Sequence, residues 1–165
     1  MTKTPRNYAF IDAQNLNLGI RSLGWKLDYR KFRKYLTEKY AVETAYMFLG
    51  FVRNQQRLYS KLQKSGFELV FKEITLDGEG NVKGNVDVDL TLQVMIELEE
   101  FDRAVIVTSD GDFSPLVRHL YQLDKLAVVL SPSVKKCSAL LKKAGKGKVS
   151  YLEAMRKKLE FLSPK

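Results

Sequence analysis

The sequence predicts an α/β protein in which a mainly parallel central sheet of five to six strands carries helices on both faces. Three observations lead there. Short apolar runs rich in β-branched and aromatic residues alternate along the chain with stretches of helical period. Strands joined through helices pair in parallel, because right-handed crossovers return the chain to the same edge of the sheet. The two clearest runs, Tyr8–Ile11 and Ala104–Val107, lead into aspartates at Asp12 and at Asp110 and Asp112. In open parallel sheets that carboxyl edge is where ligands bind, at the point where strand order reverses.

Residues 6–12 form the first strand, closed by Asp12. A turn and short helix follow over 13–24, stopped by Gly24. Asp28 caps a helix in which Tyr29, Phe32, Tyr35 and Leu36 recur at helical spacing. Residues 42–51 are the second strand, 54–64 a helix stopped by Gly66, and 67–74 the third strand. The stretch 76–85 is rich in turn residues and reads as a loop or small hairpin. Residues 86–101 are so apolar that a largely buried helix is expected. The fourth strand, RAVIV, precedes Thr108-Ser109-Asp110-Gly111-Asp112, and Ser114-Pro115 is a favourable helix entry. Residues 125–130 are a fifth strand, 133–144 a helix, 148–151 a short sixth strand, and 153–162 a terminal helix, basic on one side. With 165 residues and no internal boundary, a single domain over 1–165 is expected.

Composition narrows the classes. No apolar run approaches the ~20 residues of a membrane helix, and MTKTPRNYAFID lacks a signal-peptide core. Cys137 is the one cysteine, so no internal disulfide forms; an inert thiol in a reducing, cytoplasmic compartment is expected. The formal net charge is +9, yet residues 41–117 hold 13 of the 19 acids. A basic periphery around an acidic middle fits a polyanion gripped by the flanks and handled at carboxylates, although excess lysine also serves solubility.

The candidate site is Asp12, Asp87, Asp110 and Asp112. Asp87 shares a helical stripe with Leu90 and Val94 and faces the protein body, whereas Asp89 points elsewhere. Each acid alone has an ordinary use: Asp12 as a strand end, Asp110 and Asp112 as turn and cap residues, Asp87 as a charge at a helix N-terminus. Asn15 and Asn17 could be turn formers. Gathered together, carboxylates ~4 Å apart repel by about 4 kcal/mol per pair at an effective dielectric near 20. They then either take up protons or hold a cation, and oxygen ligands without His or Cys suit Mg²⁺ or Mn²⁺, as one ion or two. His119 is the only histidine, which argues against zinc sites and His-based triads. Neither phosphate-loop nor dinucleotide glycine motifs occur, so no nucleotide cofactor is expected. Metal-assisted phosphodiester hydrolysis is the economical chemistry.

Asp12-x-x-Asn15 after the first strand, Lys83-Gly-Asn-Val-Asp87-Val-Asp-Leu90 opening a helix, and Thr108-Ser-Asp110-Gly-Asp112-Phe113 after a later strand resemble the NYN domain. This is the LabA-like, DUF88 branch of the PIN-like nucleases. The likeness runs from about Tyr8 to Leu152. It implies a PIN-like three-layer α/β/α sandwich and a metal-dependent ribonuclease, with RNA as partner and homodimers as a further possibility. The family's acidic positions fall on Asp12, Asp87, Asp110 and Asp112, with Asn15 beside them and its hydroxyl on Thr108. The family more often has Ser-Gly-Asp-Gly-Asp-Phe, so Thr108-Ser109 departs mildly while keeping the hydroxyl. Lys83 is a phosphate contact on this reading or an ordinary loop lysine; Arg53 and Arg57 are further strand contacts. Two rivals remain: a non-catalytic RNA-binding or regulatory NYN module, and a phosphohydrolase of the haloacid dehalogenase type. The latter places its D-x-D on the first strand, where this chain has a single Asp.

Overall fold

The computed structural model describes residues 4–72, 75–76, 78–79, 82–83 and 86–163. In chain order the elements are β1 (Asn7–Asp12), α1 (Ala13–Arg21), α2 (Tyr29–Tyr40), β2 (Val42–Gly50), α3 (Gln56–Lys64) and β3 (Phe67–Lys72). A two-residue antiparallel pair, β4 (Thr75–Leu76) with β5 (Val82–Lys83), precedes α4 (Asp87–Ile96). Then come β6 (Ala104–Val107), a 3-10 turn (Gly111–Phe113), α5 (Ser114–Gln122), β7 (Leu126–Ser131), α6 (Ala139–Gly145), β8 (Val149–Tyr151), a second 3-10 turn (Leu152–Met155) and α7 (Arg156–Leu159).

Six strands form one sheet in the order β3-β2-β1-β6-β7-β8, with every neighbouring pair parallel. The chain winds outward from β1 through β2 to β3, then returns to the other side of β1 to lay down β6, β7 and β8. The reversal therefore falls between β1 and β6, where Ile11 pairs with Val107. This is the arrangement that opens a crevice at the carboxyl ends.

Side chains alternate across the strands, so each central strand feeds two cores. Ala9 and Ile11 with Val105 and Val107 meet Leu16, Ile20, Phe32, Leu36 and Leu159 from α1, α2 and α7. Tyr8 and Phe10 with Ala104 and Ile106 meet Leu90, Val94, Val117, Leu120 and Leu141 from α4, α5 and α6. Two helical layers enclose the sheet, a three-layer α/β/α sandwich. No described helix is long and apolar enough to cross a membrane.

Four details correct the expectations. The helix over 86–101 ends at Ile96 and is buried on one side only: Leu90 and Val94 are covered, while Val88 and Ile96 are 70% and 66% exposed. The helix expected over 133–144 starts late. Ser133 Oγ closes a local turn by accepting from Lys136 N at 3.2 Å, and Ser138 Oγ caps α6 by accepting from Leu140 N at 3.1 Å. The terminal helix expected over 153–162 is a 3-10 turn plus the four residues of α7. It stops because Glu160 bridges to Leu27 and Phe161 N donates to Lys26 O. Finally, Ser114 is a buried residue inside α5, and the cap passes to Asp110, which opens the 3-10 turn leading into that helix.

Candidate metal centre

Asp12 arrives at the crevice because β1 ends there, and it stays because it caps α1. One carboxylate oxygen accepts from Asn15 N at 3.5 Å. The other accepts from the buried Thr108 hydroxyl at 3.3 Å, and that hydroxyl accepts from Asp110 N at 3.2 Å. Thr108 thus joins the end of β1 to the end of β6. Asn15 makes a second join: its Oδ1 accepts from Ser109 N at 2.9 Å and from Ser109 Oγ at 3.0 Å. Asp110 accepts from Asp112 N at 2.9 Å, which folds the Asp-Gly-Asp turn so that both side chains serve one place.

Asp87 comes from the first turn of α4 on the other side of the crevice. One oxygen each from Asp87, Asp110 and Asp112 lies within 4.8 Å of the others, with Asp112 exposed and the other two half-buried. Among the described residues this is the acidic group compact enough to hold a cation. Asp12 stands outside that set of distances but within its field. Burial, at 7% exposure, raises the Asp12 carboxyl, and the negative charges of Asp87 and Asp110 raise it further. The Asn15 amide and the Thr108 hydroxyl oppose them, and the balance is a pKa pushed up to about 6. Asp89 points away and pairs with Lys72 at 3.7 Å, as its helical position predicts.

The remaining candidates are more dispersed. Arg53 and Arg57 are exposed on the segment after β2, at the carboxyl edge of the sheet. Lys83 lies in β5, and its side chain, like the Gly84-Asn85 step of its motif, is outside the described residues. His119 is exposed on α5. Sequence reasoning missed Ser109, the partner of Asn15, and Ser138. A side chain on Gly111 would strike Ser138 Oγ, so the Asp-Gly-Asp turn lies directly against the start of α6. The only signal for either serine was its place at a strand end or helix cap.

The raised Asp12 group gives a pH dependence with a definite sign. Unfolded, Asp12 titrates near 3.8; folded and free of cations, near 6. Its contribution is complete below about pH 4 and is lost as pH rises through about 6, a change of about 3 kcal/mol. Asp12→Asn is therefore expected to stabilise the cation-free protein at pH 8 relative to wild type and to make little difference at pH 4. Urea unfolding in chelator at the two pH values measures the difference.

Comparison with known proteins gives concordant matches. The sequence model of the NYN domain family matches residues 7–151. The low amplitude and bright protein LabA of Synechococcus elongatus is 25% identical over 121 residues, which cover 67% of this chain. The match spans 65% of that relative's own length. A crystal structure of a protein of unknown function from Vibrio parahaemolyticus superposes with a TM-score of 0.77 at 25% identity, covering 92% of this chain and 96% of the other.

Proposed function

Because this chain belongs to the NYN domain family, we propose that it hydrolyses RNA phosphodiester bonds with a divalent cation held at the aspartates of the crevice. The observation that carries the reading is the close set of three carboxylate oxygens beside a fourth, buried carboxyl whose ionisation is disfavoured. An all-oxygen donor set of this charge fits Mg²⁺ or Mn²⁺. Such an ion supplies Lewis acidity for activating water and offsets charge at the scissile phosphate.

The protein's own part is placement. Asp87, Asp110 and Asp112 hold the cation from two sides of the crevice, and Asp12 adds the charge that favours it. Thr108 fixes Asp12 and the Asp110 backbone with one hydroxyl, while Asn15 fixes Ser109. Both keep the strand ends in register so that the carboxylates need no rearrangement when the ion enters. Lys83, Arg53 and Arg57 contact the RNA backbone. On this reading the chain acts as one domain, in the cytoplasm.

The test is cleavage of labelled RNA with Mg²⁺ or Mn²⁺ and with chelator. Turnover that chelator stops is expected. RNA binding indifferent to chelator, without turnover under either ion, contradicts the proposal and is the behaviour of a binding module.

A further inference from the structure

The aspartate crevice is itself negatively charged. Asp87, Asp110 and Asp112 bring carboxylate oxygens within 4.8 Å of one another, and α4, on one side of it, carries no Lys or Arg from Asp87 to Ile96. Arg53 and Arg57 offer cations at the carboxyl edge, and further attraction for a long polyanion comes from elsewhere on the molecule, since phosphate contacts supply most of the sequence-independent affinity.

The far side of the protein offers it. An open groove of about 510 Å³ runs along α2, lined by Arg30, Lys31, Arg33, Lys34, Thr37 and Ser65. Arg33 forms its wall, bonded to Gly66 O at 3.1 Å and Glu43 O at 3.0 Å, at the amino ends of β3 and β2. Lys31 Nζ donates to Glu160 O at 3.0 Å. These acceptors are neutral, so the bonds fix the side chains without cancelling their charge. Asp28, the acid of the groove, is occupied as the cap of α2, accepting from Lys31 N at 3.0 Å. Lys34 meets Glu38 only at 3.8 Å and in solvent, a pairing of little strength. Nearby, Phe161 is 38% exposed beneath the Lys61 ammonium, 5.0 Å from its ring, and its N–H ties it to Lys26 O. A half-exposed aromatic ring among cations is a platform on which a base can stack.

We propose that this groove is a second nucleic-acid contact, an anchor for the phosphate backbone of single-stranded RNA on the opposite edge of the sheet from the aspartates. The inference rests on RNA being the substrate. It also predicts a length requirement. Asp12 pairs with Phe48, and Arg33 bonds Glu43 O further back on the same strand, so the two places stand roughly 17 Å apart along the strands. At ~3.4 Å per stacked nucleotide that distance is roughly five nucleotides. Short oligonucleotides engage one location or the other; longer strands engage both.

The experiment measures fluorescence anisotropy of a 20-nucleotide oligouridylate in chelator, where cleavage plays no part. The paired change Arg30→Glu with Lys34→Glu is compared with Lys142→Glu plus Lys143→Glu, which alters net charge equally on exposed positions of α6. The groove variant is expected to bind at least five-fold more weakly (an order-of-magnitude expectation for two lost phosphate contacts) and to show a salt slope shallower by about 1.4. The α6 variant should stay within about two-fold of wild type. Equal weakening in both, or none in the groove variant, overturns the anchor. So does loss of binding to phosphatidylserine vesicles with RNA binding unchanged. Groove-dependent binding with no turnover under Mg²⁺ upholds the anchor and refutes the nuclease reading alone.

Discussion

Asp110→Asn is expected to lower RNA cleavage by about 10³-fold, equivalent to about 4 kcal/mol of transition-state stabilisation, while the protein stays folded. The two halves of this expectation have separate causes. An amide is a weak ligand for a hard cation and removes one of the three charges within 4.8 Å that the ion is needed to neutralise. The local structure has less to lose. The Asn oxygen can still accept from Asp112 N, the bond that closes the turn at 2.9 Å. Relief of repulsion offsets what remains, since the charge of Asp110 helps raise the Asp12 pKa. Stability within about 0.5 kcal/mol of wild type is expected, as for a surface change that spares the turn. Wild type and variant purified side by side give the comparison. Activity retained by the variant refutes Asp110 as a ligand; unfolding of the variant refutes the account of the turn.

Phe10→Ala is expected to cost about 3–5 kcal/mol of stability, a large share of what a domain of this size possesses. Phe10 is fully buried on β1. Its ring lies 5.6 Å from Phe101 and 5.7 Å from Tyr46 by centroid, with Phe48 and Tyr8 both at 6.5 Å. The space is hard to refill, because Tyr8 is fixed on β1, Tyr46 and Phe48 on β2, and Phe101 on the segment before β6. Beyond stability, the same strand carries Asp12 two residues later, so a collapse around position 10 reaches the crevice. Phe10→Leu keeps most of the volume and should cost less than about 1.5 kcal/mol. Denaturant midpoints at constant slope measure both; equal losses for the two variants would contradict the packing argument.

The strands were legible because their apolar runs are short, β-branched and bounded by charge or turn residues, as in Ala104–Val107. Strand order was not. Periodicity says nothing about which strand neighbours which, and the convergence of Asp12 with Asp110 depended on β1 pairing with β6. The burial of α4 was misread for a physical reason. Hydrophobic residues occur all round that helix, which normally marks a buried one, but only the side with Leu90 and Val94 reaches the sheet. At residues 133–138, two serines both had capping chemistry, and local sequence could not say that Ser133 would spend its hydroxyl on a turn. The four candidate aspartates could be named from spacing and strand ends; Asp87, Asp110 and Asp112 meet within 4.8 Å, with Asp12 outside that set. The Asn15–Ser109 bond and the contact of Gly111 with Ser138 could not, because both join segments distant in sequence.

The most direct measurement is a crystal soaked in Mn²⁺ with the ion located by its anomalous signal. The account predicts an ion among Asp87, Asp110 and Asp112, at coordination distances of ~2.0–2.4 Å from their oxygens and next to Asp12. Mn²⁺ bound elsewhere on the protein, with those three carboxylates unliganded, would contradict it.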